Sequence, residues 1–489
     1  MSVIFVFDSY VKAISAVILK VMGQTVSTNT IDQQEIYNRS WITDKAYISG
    51  LAGIFMLFLL VYLYQSHQVF DSGINIFGWL LIEGRSATSG FALCLIAVSM
   101  VIVEIIRLWY YDKTQFIRYS PLWVNKQYLA LIYQAGKRYL LNLALIALAL
   151  AYYAAINEYG YRAQANYYQP WFQLFESLCL FYVCLGFPYQ FLTQAFKHDD
   201  REDMSDLLAK ILKYLLSLLR SRDDGKVQVE FIFQDRKNAL GFLVKLFFAP
   251  IMTVFFFDNF YHLINNFNYM AGGLVTDIQL GNYTHKRFNL DLSNIVPTII
   301  FSIDVALAWC GYIVSSRWLD NQTISTEPTL LGWCVCLLSY PPFRVIPAWL
   351  FATPGEKMFL QLPNQTLVTC FGLLLILSYF FYMLPTIFFG VRFSNLTNRG
   401  IIRRGPFAIV RHPAYAAKNL AWWFVGLPVA IYSGYQYGFI TALMMTIGLV
   451  FMTGIYYLRA ITEEKHLSID SHYQAYCAVV KYRFIPKVW

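Results

Sequence analysis

The chain has 489 residues, of which 57% are hydrophobic, 18% aromatic and only 14% charged, with a formal charge of +9. A water-soluble globular domain carries roughly 25% charged residues, so an ordinary soluble fold is excluded. In a membrane protein basic residues are first an orientation signal, so the positive charge is not read as a nucleic-acid footprint and no nucleic-acid partner is expected.

From the N-terminus, Asp8, Lys12 and Lys20 interrupt the first apolar stretch and no small-residue cleavage site follows it, so a cleavable export signal is not expected. Residues 9–22 instead place Val11, Ile14, Ile18 and Met22 on one helical face, with Lys12 and Lys20 at headgroup height. That pattern reads as an interfacial helix, with a frayed tail as the other reading, within a cytoplasmic or interfacial N-terminal segment covering 1–45.

Apolar runs near the ~20 residues needed to cross the hydrocarbon follow. They lie at about 46–65, 89–109, 139–156, 171–194, 239–257, 295–316, 329–350, 366–391, 420–433 and 437–458. The expected fold is therefore all-α and polytopic, with about ten spans in a lipid bilayer. The run at 329–350 carries Pro341, Pro342, Arg344 and Pro347, which makes it a kinked helix or a re-entrant segment. Such a break is tolerated only where protein or water covers the freed backbone groups.

One loop holds Lys113, Arg118, Lys126, Lys137 and Arg138, and another holds Arg392, Arg399, Arg403, Arg404, Arg411 and Lys418. Both are expected on the cytoplasmic side, and ten spans then put both termini there. Residues 197–238 form the most polar stretch. Within it, 204–220 sets Leu208, Ile211, Leu212, Leu215 and Leu219 against Asp206, Lys210, Lys213 and Arg220, the pattern of an amphipathic surface helix.

Seven of the eight cysteines fall inside the expected spans, where they act as small apolar residues, and no metal site is expected. Charged groups in spans cost ~2.5 kcal/mol or more and need a partner or a cavity. Glu104 and Arg107 share a helix face and are read as a local pair. Asp304 lies mid-span without a local partner and is read as hydrogen-bonded to another helix, with substrate contact as the other role open to it.

The chemistry is concentrated near the C-terminus. Gly405-Pro406-Phe407-Ala408-Ile409-Val410-Arg411-His412-Pro413-Ala414-Tyr415 precedes an apolar hairpin, which is followed by Arg459-Ala460-Ile461-Thr462-Glu463-Glu464. A helical hairpin returns to the side it left, so the two polar clusters are expected in one site. The first supplies a fixed cation, an imidazole and a phenol, and the second supplies carboxylates. Arg411, His412 and Tyr415 suit a ligand carboxylate, and Glu463 or Glu464 suits an ammonium. Arg459 lies four residues before Glu463 and is placed to orient it.

The ordered set Gly-Pro-Phe, Arg-His-Pro-x-Tyr, hydrophobic hairpin, Glu-Glu and Arg483-Phe484-Ile485-Pro486 resembles the integral membrane methyltransferases of the isoprenylcysteine carboxyl methyltransferase family. The resemblance covers about residues 366–489. It implies S-adenosylmethionine as cofactor, held by Arg411, His412, Tyr415, Glu463 and Glu464, with Arg459 at the methyl-transfer centre and a lipophilic or lipid-linked acceptor entering from the bilayer. Phe407 stands where Tyr is commoner, and Ala416-Ala417 replace a small Gly.

Residues 1–365 have no counterpart in the smaller members, and within them 46–365 form a transmembrane region. The resemblance places the chain in the inner or plasma membrane of a bacterium or the endoplasmic reticulum of a eukaryote. Two other readings share the motif or scaffold: a sterol-type reductase using NADPH, and a non-enzymatic lipid-binding or transport protein.

Overall fold

A computed structural model describes residues 33–66, 69–76, 79–111, 116–161, 167–198, 201–220, 233–350 and 356–488. The interfacial helix expected at 9–22 lies outside these. The described residues are 78% helical, and their strands are limited to two short antiparallel pairs, Ile74–Ile76 with Trp79–Ile82 and Ser325–Thr326 with Thr397–Asn398.

The long helices are α1 (Tyr47–Ser66), α2 (Arg85–Tyr111), α3 (Tyr128–Ala155) and α4 (Gln169–Phe196). The amphipathic α5 (Met204–Arg220) has the bounds expected of it, and is followed by α6 (Phe233–Asn268) and α7 (His285–Ile313). Then come α8 (Leu330–Leu337), α9 (Gln365–Phe389), α10 (Pro413–Tyr437), α11 (Phe439–Leu467) and α12 (Ser471–Val479).

Eight helices among the described residues are long and apolar enough to cross a membrane: α1 to α4, α6 with its continuation to Gln279, α7, α9 and α11. Large apolar side chains such as Phe55, Ile106, Leu180, Leu373, Ile431 and Val450 face outward from the bundle, where lipid removes the cost of exposing them. These eight helices are fewer than the roughly ten apolar runs expected from the sequence. The run at 329–350 is split into α8 and Val345–Leu350, because its prolines lack N–H groups and clash with the preceding turn. The 25-residue α10 is diluted by Lys418, Asn419, Ser433 and Gln436.

Helix direction explains how the chain still traverses the bundle there. Asn289, near the start of α7, donates to Gln365 at the start of α9, whereas Tyr312 near the end of α7 meets Asn395 beyond the end of α9. The two helices are parallel, so residues 314–364 return along the length of α7, about 43 Å at 1.5 Å per residue. They do so through α8, Val345–Leu350 and Glu356–Leu360.

One buried core runs from Leu57 to Met445 and joins the 46–365 region to the C-terminal helices without a break. Asp304 is buried and accepts a hydrogen bond from Thr386 of α9, the interhelical role expected of it. Glu104 and Arg107 form the expected pair, at 2.6 and 2.8 Å, with Arg392 3.8 Å away. The helix Gln33–Asn38 packs on α12, so both ends of the described chain lie at the same end of the bundle.

Candidate active site

α10 and α11 form the hairpin that carries the two polar clusters. His412 precedes α10 and Pro413 opens it, a position where a missing N–H costs nothing. Gly438 separates the two helices at φ +97°, a conformation that glycine adopts without a Cβ penalty. The one-residue reversal returns α11 alongside α10, and its last turns place Arg459, Glu463 and Glu464 beside the 411–415 loop.

All six side chains singled out from the sequence meet there, but they divide into two groups. Glu464 is enclosed by two guanidinium groups and an imidazole: Arg411 Nη1 at 3.2 Å, Arg483 Nε at 3.0 Å and His412 Nε2 at 3.1 Å. Backbone hydrogen bonds from Arg411 N to Tyr482 O and from His412 N to Arg483 O, both 2.9 Å, hold the C-terminal segment over this cluster. The Glu464 side chain is 11% exposed. Its oxygens are consumed by residues of the chain itself.

Glu463 is different, with 40% of its side chain exposed. The Tyr415 hydroxyl donates to its Oε2 at 2.8 Å, and His412 Nδ1 stands 3.8 Å from the same oxygen. The His412 and Tyr415 rings stack with centroids 5.4 Å apart and planes within 5°. Arg459 does not pair with Glu463 as its spacing suggested. Its guanidinium lies 5.0 Å from the ring centres of Tyr415 and Tyr456, in cation–π geometry, and among the described residues it donates to the neutral Ser339 Oγ at 3.3 Å and Asn395 Oδ1 at 3.4 Å.

Several participants were missed by sequence reasoning. Asn395 donates to both Tyr312 and Tyr340 hydroxyls, at 2.7 and 2.9 Å, and thereby ties α7 and the broken span to Arg459. Lys418 Nζ lies 5.1 Å from the Tyr382 ring centre and 5.7 Å from that of Tyr456. No local pattern marks an asparagine in a loop or a lysine one turn into a helix. Arg483 was visible only as part of a C-terminal motif.

Arg411, His412, Tyr415, Lys418, Arg459 and Glu463 line a cavity of about 90 Å³ together with Tyr340, Tyr382 and Phe389. Cavities of about 50 and 60 Å³ adjoin it through Glu463. The first of these is also lined by Glu327 and His466. Burial pushes the Glu327 carboxyl up, hydrogen bonds from Thr329 offset part of the rise, and the Glu463 charge adds to it. For Arg411, burial works against the charge, but the Glu464 carboxylate outweighs it and the net shift is upward. Among the described residues no group of three metal-ligating side chains occurs.

Residues 386–480 match the model of a family described as a protein of unknown function, DUF1295. The matched stretch runs from the end of α9 through α12 and contains all six site residues named above. Among curated proteins and among solved structures, no match was found.

Proposed function

We propose that the C-terminal helices form an integral membrane methyltransferase that uses S-adenosylmethionine and acts on a lipophilic or lipid-linked acceptor. The supporting observation is the unequal state of the charges around one cavity. Glu464 is consumed internally, while Glu463 remains half-exposed and Arg459, on the same cavity, has no carboxylate within 4 Å among the described residues. A half-exposed carboxylate and a guanidinium with no carboxylate partner suit a cationic group of one ligand and an anionic group of another.

The residues fit the cofactor's chemistry. Glu463 would hold the ammonium of the amino-acid moiety, and Arg411 Nε, buried without a hydrogen-bond partner, would donate to its carboxylate. Phe407 and Phe484 supply aromatic faces near His412. The three cavities are each smaller than the ~300–1,000 Å³ usual for ligand sites, so a wall must move on binding. The segment hydrogen-bonded over the Glu464 cluster, 481–488, is largely exposed.

Bound there, S-adenosylmethionine supplies an electrophilic methyl group. The chain's part is alignment and exclusion of water. Arg459, held between two phenol rings, orients an anionic acceptor, and a carboxylate acceptor needs no base. Tyr340 and Ser339 come from the broken span, so the 46–365 region contributes part of the acceptor side.

A second reading follows from the family match, since DUF1295 is linked to steroid 5α-reductase-like membrane proteins; it predicts NADPH as ligand. Calorimetric titration of the detergent-solubilised chain separates the two. Binding of S-adenosylhomocysteine and methyl incorporation into a lipid extract are expected. Binding of NADPH in its place transfers the assignment to the reductase.

A further inference from the structure

A cavity much larger than those of the candidate site lies elsewhere. A space of about 470 Å³ lies among α3, α4, the start of α5, α6 and the segment after α7, within the range of ordinary ligand pockets. Its walls are mostly apolar, with Leu145, Ala149, Phe175, Phe242, Leu246 and Ile313 among them. Its other walls carry charge.

Arg138 bonds Asp203 and Asp206, each at 3.0 Å, and Arg317 reaches Asp203 at 3.5 Å. Those two cations and two carboxylates cancel. Lys245 remains. It lines the same cavity from within the membrane-crossing length of α6, and among the described residues it has no hydrogen bond and no carboxylate within 4 Å. A lysine lining a mostly apolar cavity is costly unless something answers its charge. Gln322 Oε1, on a side chain that also lines the cavity, is buried without a partner.

We propose that this cavity binds an anionic amphiphile with one acyl chain, its carboxylate or phosphate head on Lys245 and its chain along the Leu145, Ala149 and Phe242 wall. A neighbouring apolar space of about 460 Å³ shares Tyr189, Ile313 and Ser316 with it. The Tyr189 and Ser316 hydroxyls hydrogen-bond at 2.7 Å across the shared wall. This site is separate from the α10–α11 cavity and does not depend on the methyltransferase reading.

Trp171 lines the apolar part of the cavity and serves as a reporter. The full chain in a neutral maltoside detergent is titrated with dibromostearate while tryptophan emission is followed. Saturable quenching is expected, and Trp171→Phe should remove the quenched component. Oleate should displace the probe if the site takes carboxylates, lysophosphatidylglycerol if it takes phosphates, and neutral monoolein should displace it at least tenfold less well. Lys245→Met should weaken binding tenfold or more and Lys245→Arg should restore it. Unsaturable quenching, equal displacement by monoolein, or unchanged affinity of a folded Lys245→Met chain overturns the proposal. If that variant does not fold, the head-group competition on the unmodified chain decides.

Discussion

Arg403 and Asp44 lie 359 positions apart and share two hydrogen bonds of 2.6 Å, Nε to Oδ1 and Nη2 to Oδ2. The same guanidinium stacks over Trp41 at 4.1 Å and donates to the backbone oxygens of Tyr37 and Arg39. The chain's first described residues are thus clamped onto the loop that leads to the candidate site.

Burial alone would raise the Asp44 pKa. The hydrogen bonds from Arg403 and Trp41 N, with the charges of Arg403 and Arg404, overcome it and hold the carboxyl below its ordinary value. A depressed acid contributes stability that is complete above its unfolded pKa of ~3.9 and is lost as pH falls through the lower folded value. Melting of the unmodified chain should therefore fall more steeply on acidification below about pH 4 than melting of Asp44→Asn. At neutral pH, Asp44→Ala should cost on the order of 3 kcal/mol by stranding Arg403.

The adjacent glutamates should respond in opposite ways. Glu464→Gln leaves Arg411 and Arg483 facing a neutral group, so its main effect should be a loss of stability of ~3 kcal/mol or more. Glu463→Gln should leave melting within about 0.5 kcal/mol and weaken S-adenosylhomocysteine binding by ~1.5–3 kcal/mol. Thermal melts and titrations of both variants decide this. Normal cofactor affinity in Glu463→Gln would remove that residue from the cofactor site.

Arg459→Ala tests the acceptor side. An interaction used only at the reacting centre lowers turnover without changing cofactor affinity, and a loss on the order of 100-fold is expected. Single-turnover rates with saturating cofactor measure it. A fall in cofactor affinity of the same size would show that Arg459 holds the cofactor or the fold instead.

Gly390, at φ +51°, ends α9 where α1 begins. A Cβ there would meet Ser49 Oγ at 2.4 Å and Ala46 O at 2.5 Å. Gly390→Ala combines backbone strain with overpacking, so about 2–4 kcal/mol of stability should be lost. The same substitution at Gly372, where a Cβ meets nothing within 4 Å, should be nearly neutral. Comparative melting of the two variants checks the packing of α1 on α9.

The sequence by itself determined the membrane class, most of the spans, the amphipathic α5 and the convergence of Arg411, His412, Tyr415, Arg459, Glu463 and Glu464. Each of these rests on local information: run length sets whether a helix can cross, periodicity sets its face, and a hairpin must bring its two ends together. Only the tertiary structure decided how the charges are shared. Arg459 and Glu463 sit at ideal helical spacing, yet Tyr415 takes the carboxylate and two phenol rings take the cation. Arg483, nineteen positions beyond Glu464, and Asn395, before the hairpin, complete a cluster that no periodicity links. The clamp of Asp44 on Arg403 and the Lys245 cavity have the same origin, because which distant helices face one another depends on packing, and sequence spacing carries no record of it.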